Sequence, residues 1–280
     1  MLQLSQLTFP RIGAISKHSK SGGWAVSGRP LTYNMNELVT VAGYPVDAFP
    51  TTPFDCASDS FTAIANEHLT HLETHRNVAT SKTDAQWRFS ARCFFKKLNP
   101  KHCVDNTSLF MLFCDDLRLS NMLADPETLR ITAVIDFEFT NAMPAQFAQD
   151  PPWWLLLAPS SDWFEGNKQD EFMELFVPRM EQFIQAVEWA EERSPSSNDP
   201  RLSAQMRDSW ATGRFWFNYA SRNSLDLDFI YHRALHPYVS GQVELDKELR
   251  ADMAEFAKRK MEHLAEYREE KRKNDARSEK

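Results

Sequence analysis

The chain has 280 residues, of which 42% are hydrophobic and 25% charged, and its formal net charge is −7. These values are typical of an ordinary globular protein with one large domain or two small ones. The acidic balance argues against a nucleic-acid-binding protein, which usually has a surplus of basic residues. No apolar run approaches the roughly 20 residues that span a bilayer, so we expect no membrane partner either.

The four cysteines are widely spaced and form no Cys-x-x-Cys pair: Cys56, Cys93, Cys103 and Cys114. This pattern favours a reduced, intracellular protein, and we expect a cytoplasmic location. Residues 1–36 lack Asp and Glu and carry basic residues, so a transit peptide is an alternative interpretation. A Gly-Gly pair and an Arg-Pro step interrupt any amphipathic helix there, which favours the first interpretation.

The first 55 residues are predicted to form short strands and loops. Turn signals at Ser21-Gly22-Gly23 and Ser27-Gly28 flank the segment Trp24-Ala25-Val26. The prolines between residues 45 and 53 then keep the connection extended, because proline interrupts both helices and strands.

Two helices are predicted next, one beginning near Ser58 or Asp59 and one over residues 83–98. Either Ser58 or Asp59 is a suitable N-terminal cap. Apolar residues recur at helical spacing in both segments and should face the interior. They are Phe61, Ile64, Leu69 and Leu72 in the first helix, and Trp87, Ala91, Phe94 and Leu98 in the second.

A strand over residues 108–114 then leads through a charged loop to a predicted hairpin over 121–136. A proline-rich crossing follows the hairpin. Beyond it, three helices are predicted over residues 169–193, 201–222 and 245–273. The last of these alternates basic and acidic residues, which is typical of a solvated face.

The charged loop and the hairpin carry the polar residues that point to chemistry. Asp116 and Asn121 lie five residues apart in the loop, and Asp136 ends the hairpin. A turn at residues 125–128 would pair Asn121 near Ala133. We therefore expect Asp136 to lie within side-chain reach of Asn121.

These residue types suit phosphoryl transfer. Mg²⁺ prefers octahedral oxygen coordination from a few protein ligands, phosphate oxygens and waters, and Asn121 and Asp136 supply such oxygens. Asp116 could accept the proton of an attacking hydroxyl, and Arg118 could offset charge on the transferred group. An alternative is that the loop is an ordinary polar surface loop and Asp136 an ordinary strand-terminal residue.

At these residues the chain resembles the aminoglycoside phosphotransferase and choline kinase-like family, which has the protein-kinase-like fold. That family carries His-x-Asp-x-x-x-x-Asn, then a hairpin and Ile-Asp-Trp or Ile-Asp-Phe. The similarity covers about residues 10–245, and its flanks are most similar to fungal members. The matching segments are CDDLRLSN at 114–121, VIDFE at 134–138, RPLTYNMNEL at 29–38, PPWWLLL at 151–157 and SWATGRFWFNYASR at 209–222.

The resemblance implies ATP-dependent phosphorylation of a hydroxyl group on a small molecule. It implies that Asp116 is the catalytic base, with Arg118 beside it, and that Asn121 and Asp136 bind Mg²⁺ and, through it, ATP. Cys114 occupies the place of the family's usual histidine, and we expect a small buried residue at that position.

Kinase-like proteins bind the ATP phosphates with a glycine-rich loop and a strand lysine. The residues before Asp116 contain no G-x-G-x-x-G. By resemblance, residues 1–40 follow the family's nucleotide-binding lobe, so the chain resembles a C-lobe without its N-lobe, as in a truncated gene model or a degenerate paralogue. A non-catalytic kinase-like binding or regulatory protein is therefore an alternative to an active enzyme, and an unrelated Mg²⁺-dependent hydrolase is a third.

Acidic and aromatic residues follow the hairpin: Glu138, Asp150, Trp153 and Trp154. By resemblance, this neighbourhood contributes to the acceptor side of the site. Acids and aromatic rings together would suit a cationic substrate. The alternative is that the tryptophans pack the core.

Three histidines lie on one side of the first long helix, at His68, His71 and His75. Such spacing is compatible with zinc, but no cysteine or carboxylate stands at a matching spacing, so we favour ordinary helix-face histidines. The predicted fold is α+β and mainly helical: a protein-kinase-like C-lobe with a small β-hairpin sheet that carries the catalytic loop. Its predicted parts are a strand-and-loop segment (1–57), a phosphotransferase C-lobe (58–245) and a charged helix and tail (246–280).

Overall fold

The computed structural model describes residues 1–17, 22–103, 106, 109–158, 161–164, 166, 168–193, 200–239 and 246–278. The predicted turn residue Ser21, the predicted strand start at 108 and the predicted helix start at 245 lie outside these residues. The described residues form an α+β fold that is mainly helical, so this coarser part of the fold prediction is confirmed.

Seven strands are present in the described residues. They are β1 (Thr8–Phe9), β2 (Gly13–Lys17), β3 (Trp24–Gly28), β4 (Phe110–Cys114), β5 (Met122–Ala124), β6 (Ile131–Val134) and β7 (Thr140–Met143).

The helices fall into long and short groups. The longer ones are α1 (Tyr33–Thr40), α2 (Ala57–Thr74), α3 (Lys82–His102), α6 (Gln169–Glu191), α7 (Leu202–Ala211), α8 (Arg214–Ser221) and α11 (Lys247–Ser278). Four-residue helices are α4 (Ala145–Ala148), α5 (Ser161–Phe164), α9 (Leu227–Ile230) and α10 (His236–Val239). Short 3₁₀ turns occur at Leu4–Gln6, Val46–Ala48, Leu119–Asn121 and Trp153–Leu156, and a π-helical turn at Tyr231–Leu235.

The strand that precedes the charged loop belongs to a five-stranded antiparallel sheet of order β1-β4-β7-β2-β3. The N-terminal strands therefore share one sheet with β4 and β7. The hairpin β5–β6 forms a separate two-stranded sheet. The predicted small hairpin sheet was thus incomplete, because strands far apart in sequence pair around β4 and no local pattern marks such pairing.

The hairpin register differs from the predicted one. Met122 pairs with Val134, and the amide of Ile135 donates to the carbonyl of Asn121 at 2.9 Å. Asn121 therefore lies opposite Ile135, and the predicted pairing near Ala133 was wrong. The loop is not a simple four-residue turn. The Asp125 side chain accepts hydrogen bonds from the amides of residues 127 and 128, and a bulge between Leu123 and Ala124 shifts the pairing of the two strands.

Helices α2 and α3 are where the sequence predicted them, and α3 is longer than the predicted range 83–98. The cap of α2 was predicted wrongly: Ser58 itself receives a cap, because its amide donates to the side-chain oxygen of Asn106 at 2.8 Å. Phe61 and Leu72 are buried as expected, whereas Ile64 is only partly buried. A cap supplied from a distant loop replaces the local cap that the pattern indicated.

Two features of the helices were not predicted. Helix α1 lies within a segment expected to be strand and loop; the Thr32 hydroxyl caps it by accepting from the Met35 amide at 3.2 Å. The helix predicted over 201–222 is two helices. Gly213, at φ +74°, separates α7 from α8, because a left-handed residue ends an α-helix.

His68, His71 and His75 are part of a buried polar network, and within the described residues they belong to no group of three side chains placed to bind a metal. Arg92 is fully buried and donates to both carboxylate oxygens of Asp228, at 2.9 and 3.1 Å. It also lies 3.0 Å from His71 Nδ1, and His71 Nε2 is 3.0 Å from His75 Nδ1. His68 hydrogen-bonds the hydroxyl of Ser224. These contacts tie α2 and α3 to α9 and support the favoured interpretation of ordinary histidines.

Candidate functional site

The charged loop begins where β4 ends at Cys114 and closes with the 3₁₀ turn Leu119–Asn121. Asp116 and Asn121 are both buried, each 8% exposed. The Asn121 amide nitrogen donates to the Asp116 carboxylate Oδ2 at 2.9 Å and to the Asp116 carbonyl oxygen, also at 2.9 Å. The structure thus brings these two predicted site residues together.

This contact orients the whole side chain of Asn121. Its NH₂ group is used on Asp116, while its oxygen has a contact of 3.5 Å from the Ser120 hydroxyl. An Asn carbonyl oxygen can accept two hydrogen bonds or act as a hard metal ligand. The geometry is therefore compatible with the predicted role of Asn121 as a cation ligand.

Arg118 closes the other side of Asp116. Its guanidinium Nε lies 2.9 Å from the Asp116 carboxylate Oδ1, and the arginine side chain is much more exposed than the carboxylate. Each carboxylate oxygen of Asp116 therefore has one partner, Arg118 or Asn121.

Asp136 follows the strand β6 and lies close to Asn121 along the backbone. Its neighbour Ile135 is bonded to Asn121, and Asp136 itself adopts φ +64° with an exposed side chain. Asp tolerates this left-handed conformation better than most residues. The backbone bond between Ile135 and Asn121 therefore brings the main chain of Asp136 next to that of Asn121.

Cys114 is buried at the start of the loop, with its Sγ 4.0 Å from the Asp136 carbonyl oxygen. Burial is the main cause that raises the pKa of the Cys114 thiol. A raised pKa disfavours the thiolate, which is the reactive form of cysteine. The structure therefore agrees with a small buried residue in this position.

Asn121 and Asp136 are the residues that would hold the predicted Mg²⁺. Asn121 and Asp136 offer an amide oxygen and a carboxylate, and Mg²⁺ bound with phosphates usually takes only one or two protein carboxylates and several waters. Within the described residues, no group of three or more His, Cys, Asp and Glu side chains is placed to hold a metal. Phosphate oxygens and waters would have to complete the coordination.

A cavity of about 820 Å³ opens beside the charged loop. Its wall includes Asp116 and Arg118, whereas Asn121 and Asp136 lie outside the wall. The other lining residues are Tyr33, Glu37, Asp115, Leu119, Ser120, Trp153, Trp154, Leu157, Ala158, Tyr219, Arg222, Asn223, Leu225 and Asp226. A volume of this size suits a small organic molecule.

Asp115 and Arg222 form an ion pair in the wall that the sequence did not predict. Arg222 Nη1 lies 3.3 Å from Asp115 Oδ1, and both side chains are buried. The guanidinium also lies over the rings of Phe113 and Phe147, at 4.8 and 5.4 Å from their centroids. Burial is the main cause that raises the pKa of Asp115, and Arg222 opposes it. The two residues are 107 positions apart, and no spacing pattern connects them.

The predicted acceptor residues separate into two groups. Trp153 and Trp154 line the cavity, but Trp154 is also buried and Trp153 packs against the main core, as the alternative interpretation expects. Glu138 is exposed in the turn before β7 and lies outside the wall. Asp150 is also outside the wall: it is buried and accepts hydrogen bonds from Ser209 and from Asn218. The structure thus does not bring Glu138 and Asp150 into the cavity.

Comparison of the chain with protein-family models, with curated proteins and with solved structures finds no significant match. Among the described helices, none has the length and apolar character needed to cross a bilayer. The candidate site is therefore defined by its own geometry: a buried Asp116–Asn121 pair, an exposed Asp136 after the neighbouring hairpin, and a cavity lined by aromatic, aliphatic and charged side chains.

Proposed function

We propose that this protein transfers a phosphoryl group from Mg²⁺·ATP to a hydroxyl group of a small molecule, as the aminoglycoside phosphotransferase and choline kinase-like family does. We also propose that its fold is the C-lobe of the protein-kinase-like fold. One observation carries the proposal: the buried carboxylate of Asp116 is held by Asn121 and faces a cavity large enough for an acceptor molecule.

Asp116 is suited to receive the proton of an attacking hydroxyl. Its carboxylate is oriented by the Asn121 amide at 2.9 Å and lines the cavity in which an acceptor would lie. A positioned base of this kind typically accelerates proton transfer by about 10²–10⁴-fold. The carboxylate needs no large rearrangement to meet a hydroxyl in the cavity.

Asn121 and Asp136 would hold Mg²⁺, which supplies charge neutralisation on the phosphate oxygens when bound. The Asn121 amide nitrogen is already used by Asp116, so the oxygen is available for the cation. The exposed position of Asp136 leaves its carboxylate accessible to a nucleotide from the solvent side.

Arg118 would also bind the phosphoryl group in this proposal. Its guanidinium is paired with Asp116, and the arginine side chain is 45% exposed. A guanidinium can bind phosphate oxygens in a bidentate manner. When a phosphoryl group enters, Arg118 would exchange one acidic partner for another and release Asp116 Oδ1 toward the acceptor.

A non-catalytic binding protein is the second candidate, and one specific observation favours it. Both carboxylate oxygens of Asp116 already have partners, Arg118 and Asn121. In that alternative the pairing is permanent, and the cavity binds a ligand without phosphorylating it.

The phosphotransferase and the binding protein can be distinguished by measuring transfer of labelled phosphate from Mg²⁺·ATP to a panel of ring alcohols, amino alcohols and sugars. Because the residues before Asp116 contain no glycine-rich loop, we expect weak binding of Mg²⁺·ATP and slow transfer by the wild-type chain, with a further loss of about 10²-fold or more in Asp116→Asn. Asp47→Asn is the matched control, since Asp47 is exposed in a 3₁₀ turn far along the chain from the charged loop. Equal transfer by Asp116→Asn and wild type would exclude Asp116 as the base. Ligand binding without any transfer would favour the binding protein.

A further inference from the structure

We propose that Glu67 and Arg29 form a pH-dependent latch at the start of α1. With Glu67 protonated, the two side chains stay apart and α1 packs on α2 as in the structure. When Glu67 loses its proton, its carboxylate pairs with Arg29, and the start of α1 shifts with this pairing. The inference goes beyond the proposed function and does not depend on it.

Glu67 is a carboxyl group that is buried and incompletely hydrogen-bonded. It lies on α2 and is 3% exposed. Among the described residues, nothing hydrogen-bonds its Oε1 atom. Burial raises the pKa of Glu67 to about 8, and the nearby charge of Arg29 acts against it. Because an unpaired carboxylate is costly to bury, this packing favours the neutral form.

Arg29 precedes α1 and is half-buried among uncharged partners. Its Nη1 donates to the Pro30 carbonyl oxygen at 3.2 Å and lies 3.3 Å from the Met35 sulfur. The guanidinium also lies over the ring of Phe49, 5.3 Å from its centroid. A carboxylate binds a guanidinium more strongly than a carbonyl, a thioether or a ring does. An ionised Glu67 would therefore draw Arg29 away from these partners.

A small cavity separates the start of α1 from Glu67. Its volume is about 20 Å³, which is enough for one water molecule. Pro30 and Thr32, which precede α1, line it together with Asn34 of the first turn and with Glu67. The space leaves room for movement between α1 and α2, which close packing would otherwise prevent.

Among the described residues, two other titratable or charged groups face Glu67 from neighbouring elements. Tyr44, after α1, is neutral, since burial and then the charge of Glu67 raise its pKa to about 12. Arg222, at the end of α8, lines the small cavity but is paired with Asp115 at 3.3 Å. The other described wall residues are uncharged, among them Asn34 of α1, Phe54, Ser60 of α2 and Met143 of β7. Arg29 is therefore the cation that is available to Glu67.

The latch is connected to the candidate site through α1. Tyr33 and Glu37 of this helix line the large cavity beside the charged loop. Tyr33 is the first residue of α1 and makes an edge contact with Phe139, with ring centroids 5.3 Å apart. A shift at the start of α1 therefore changes the wall of the large cavity, so the shape of that wall depends on pH.

The direction of the pH effect follows from the pKa of Glu67 in the two forms. In the packed form the pKa is about 8. In the shifted form, where water and Arg29 reach the carboxylate, we expect a pKa at or below the ordinary value of about 4.3. The share of the shifted form therefore rises from about pH 4.5 to about pH 8, by at most about tenfold per pH unit, and is constant above that range.

Hydrogen exchange of the full chain, followed by mass spectrometry of peptides that cover α1, tests the inference. Glu67→Gln keeps the shape of the side chain but cannot ionise, and comparison at each pH removes the intrinsic pH dependence of exchange. We expect the protection of α1 in the wild type, relative to that variant, to fall at least about tenfold between about pH 5.5 and pH 8. Glu174→Gln, at an exposed position of α6, is the matched control and should behave as the wild type.

A ratio of protection that does not change with pH would overturn the inference. An equal fall in peptides that cover β4 would also overturn it, because it would indicate opening of the whole fold. The part of Arg29 is tested by making Glu67→Gln in an Arg29→Gln background. Near pH 8 its effect on α1 should be at least about threefold smaller there than in the wild-type background. Equal effects would show that the two side chains do not pair and would overturn the latch.

Discussion

The side-chain amide of Asn121 donates to Asp116 twice, once to the carboxylate and once to the backbone carbonyl, each at 2.9 Å. Two donors from one NH₂ group fix the amide plane, so the oxygen of Asn121 must point away from Asp116. One side chain thus orients the proposed base and presents a proposed metal ligand. Both residues are buried, while residues 118–120 between them are exposed to solvent.

Replacement of Asn121 by Asp should make the stability of the protein depend on Mg²⁺. The variant sets a second carboxylate against Asp116 in place of a donor, and loss of a buried hydrogen bond costs about 1–3 kcal/mol. In a protein of this size, each kcal/mol of lost unfolding free energy lowers Tm by roughly 2–4 °C. We expect a lower Tm in EDTA and a recovery on addition of Mg²⁺, measured by differential scanning calorimetry.

The control for this prediction is Asn36→Asp, at an exposed position of α1. Its Tm should respond to Mg²⁺ no more than that of the wild type. A variant at Asn121 whose Tm stays low at every Mg²⁺ concentration would contradict a cation site at this side chain.

Asp150 should make the protein less stable as the pH rises. Burial is the main cause that raises the pKa of Asp150 to about 7, while bonds from Ser209 and Asn218 and the charges of Arg222 and Arg214 act against it. In the unfolded chain the pKa of Asp is near 4. The contribution of Asp150 to the free energy of unfolding is therefore full below about pH 4 and is lost as the pH rises to about 7, by at most about 1.4 kcal/mol per pH unit.

Asp150→Asn removes this ionisation and keeps the acceptor for Ser209 and Asn218. We expect the free energy of unfolding of the variant, relative to that of the wild type, to rise between about pH 4.5 and pH 7. Above that range the difference should stay constant. Urea denaturation of both proteins across the range measures it. A difference that does not change with pH would show that Asp150 has the same charge in the folded and unfolded states.

Two glycines allow strain and steric conflict to be measured separately. Gly213 and Gly43 both have left-handed backbone, at φ +74° and +64°. A Cβ at Gly213 would lie 2.5 Å from the ring of Tyr238, whereas one at Gly43 would meet nothing within 4 Å. Gly43→Ala should therefore cost roughly 1–2 kcal/mol of unfolding free energy, and Gly213→Ala a further 1–3 kcal/mol or so. Urea denaturation measures both losses of unfolding free energy. Equal losses in Gly43→Ala and Gly213→Ala would mean that Tyr238 moves aside at no cost.

The local part of the site was predictable from the sequence, since its residues are joined by short spacings. The strand, loop and hairpin order around Asp116, Asn121 and Asp136 follows from alternation and turn signals over about thirty residues. The register of the hairpin did not follow, because it depends on the side chain of Asp125 and on a left-handed residue at Leu129. Such details of loop geometry leave little trace in hydrophobic patterning.

The cavity was not predictable in the same way. Its wall joins α1, the charged loop, the 3₁₀ turn at Trp153–Leu156 and the end of α8, and these segments approach one another only in the folded chain. Arg222 shows the difficulty, since in sequence it is an arginine at the end of an aromatic helix, with no sign of its partner Asp115. Asn106, which caps α2 from a separate loop, is a second example. Contacts of this kind are set by tertiary packing and not by local preference.

Leu157→Gly should raise the free energy of unfolding. At φ +60° the leucine is strained while its side chain is mostly in water, so glycine relieves the strain with little loss of packing. Glycine also increases the entropy of the unfolded chain, and the net gain is at most about 1 kcal/mol of unfolding free energy. Leu129→Gly, at φ +55° and 80% exposed, should gain a similar amount, and urea denaturation measures both variants. A loss of unfolding free energy in either variant would show that its leucine side chain contributes more by packing than the strain costs.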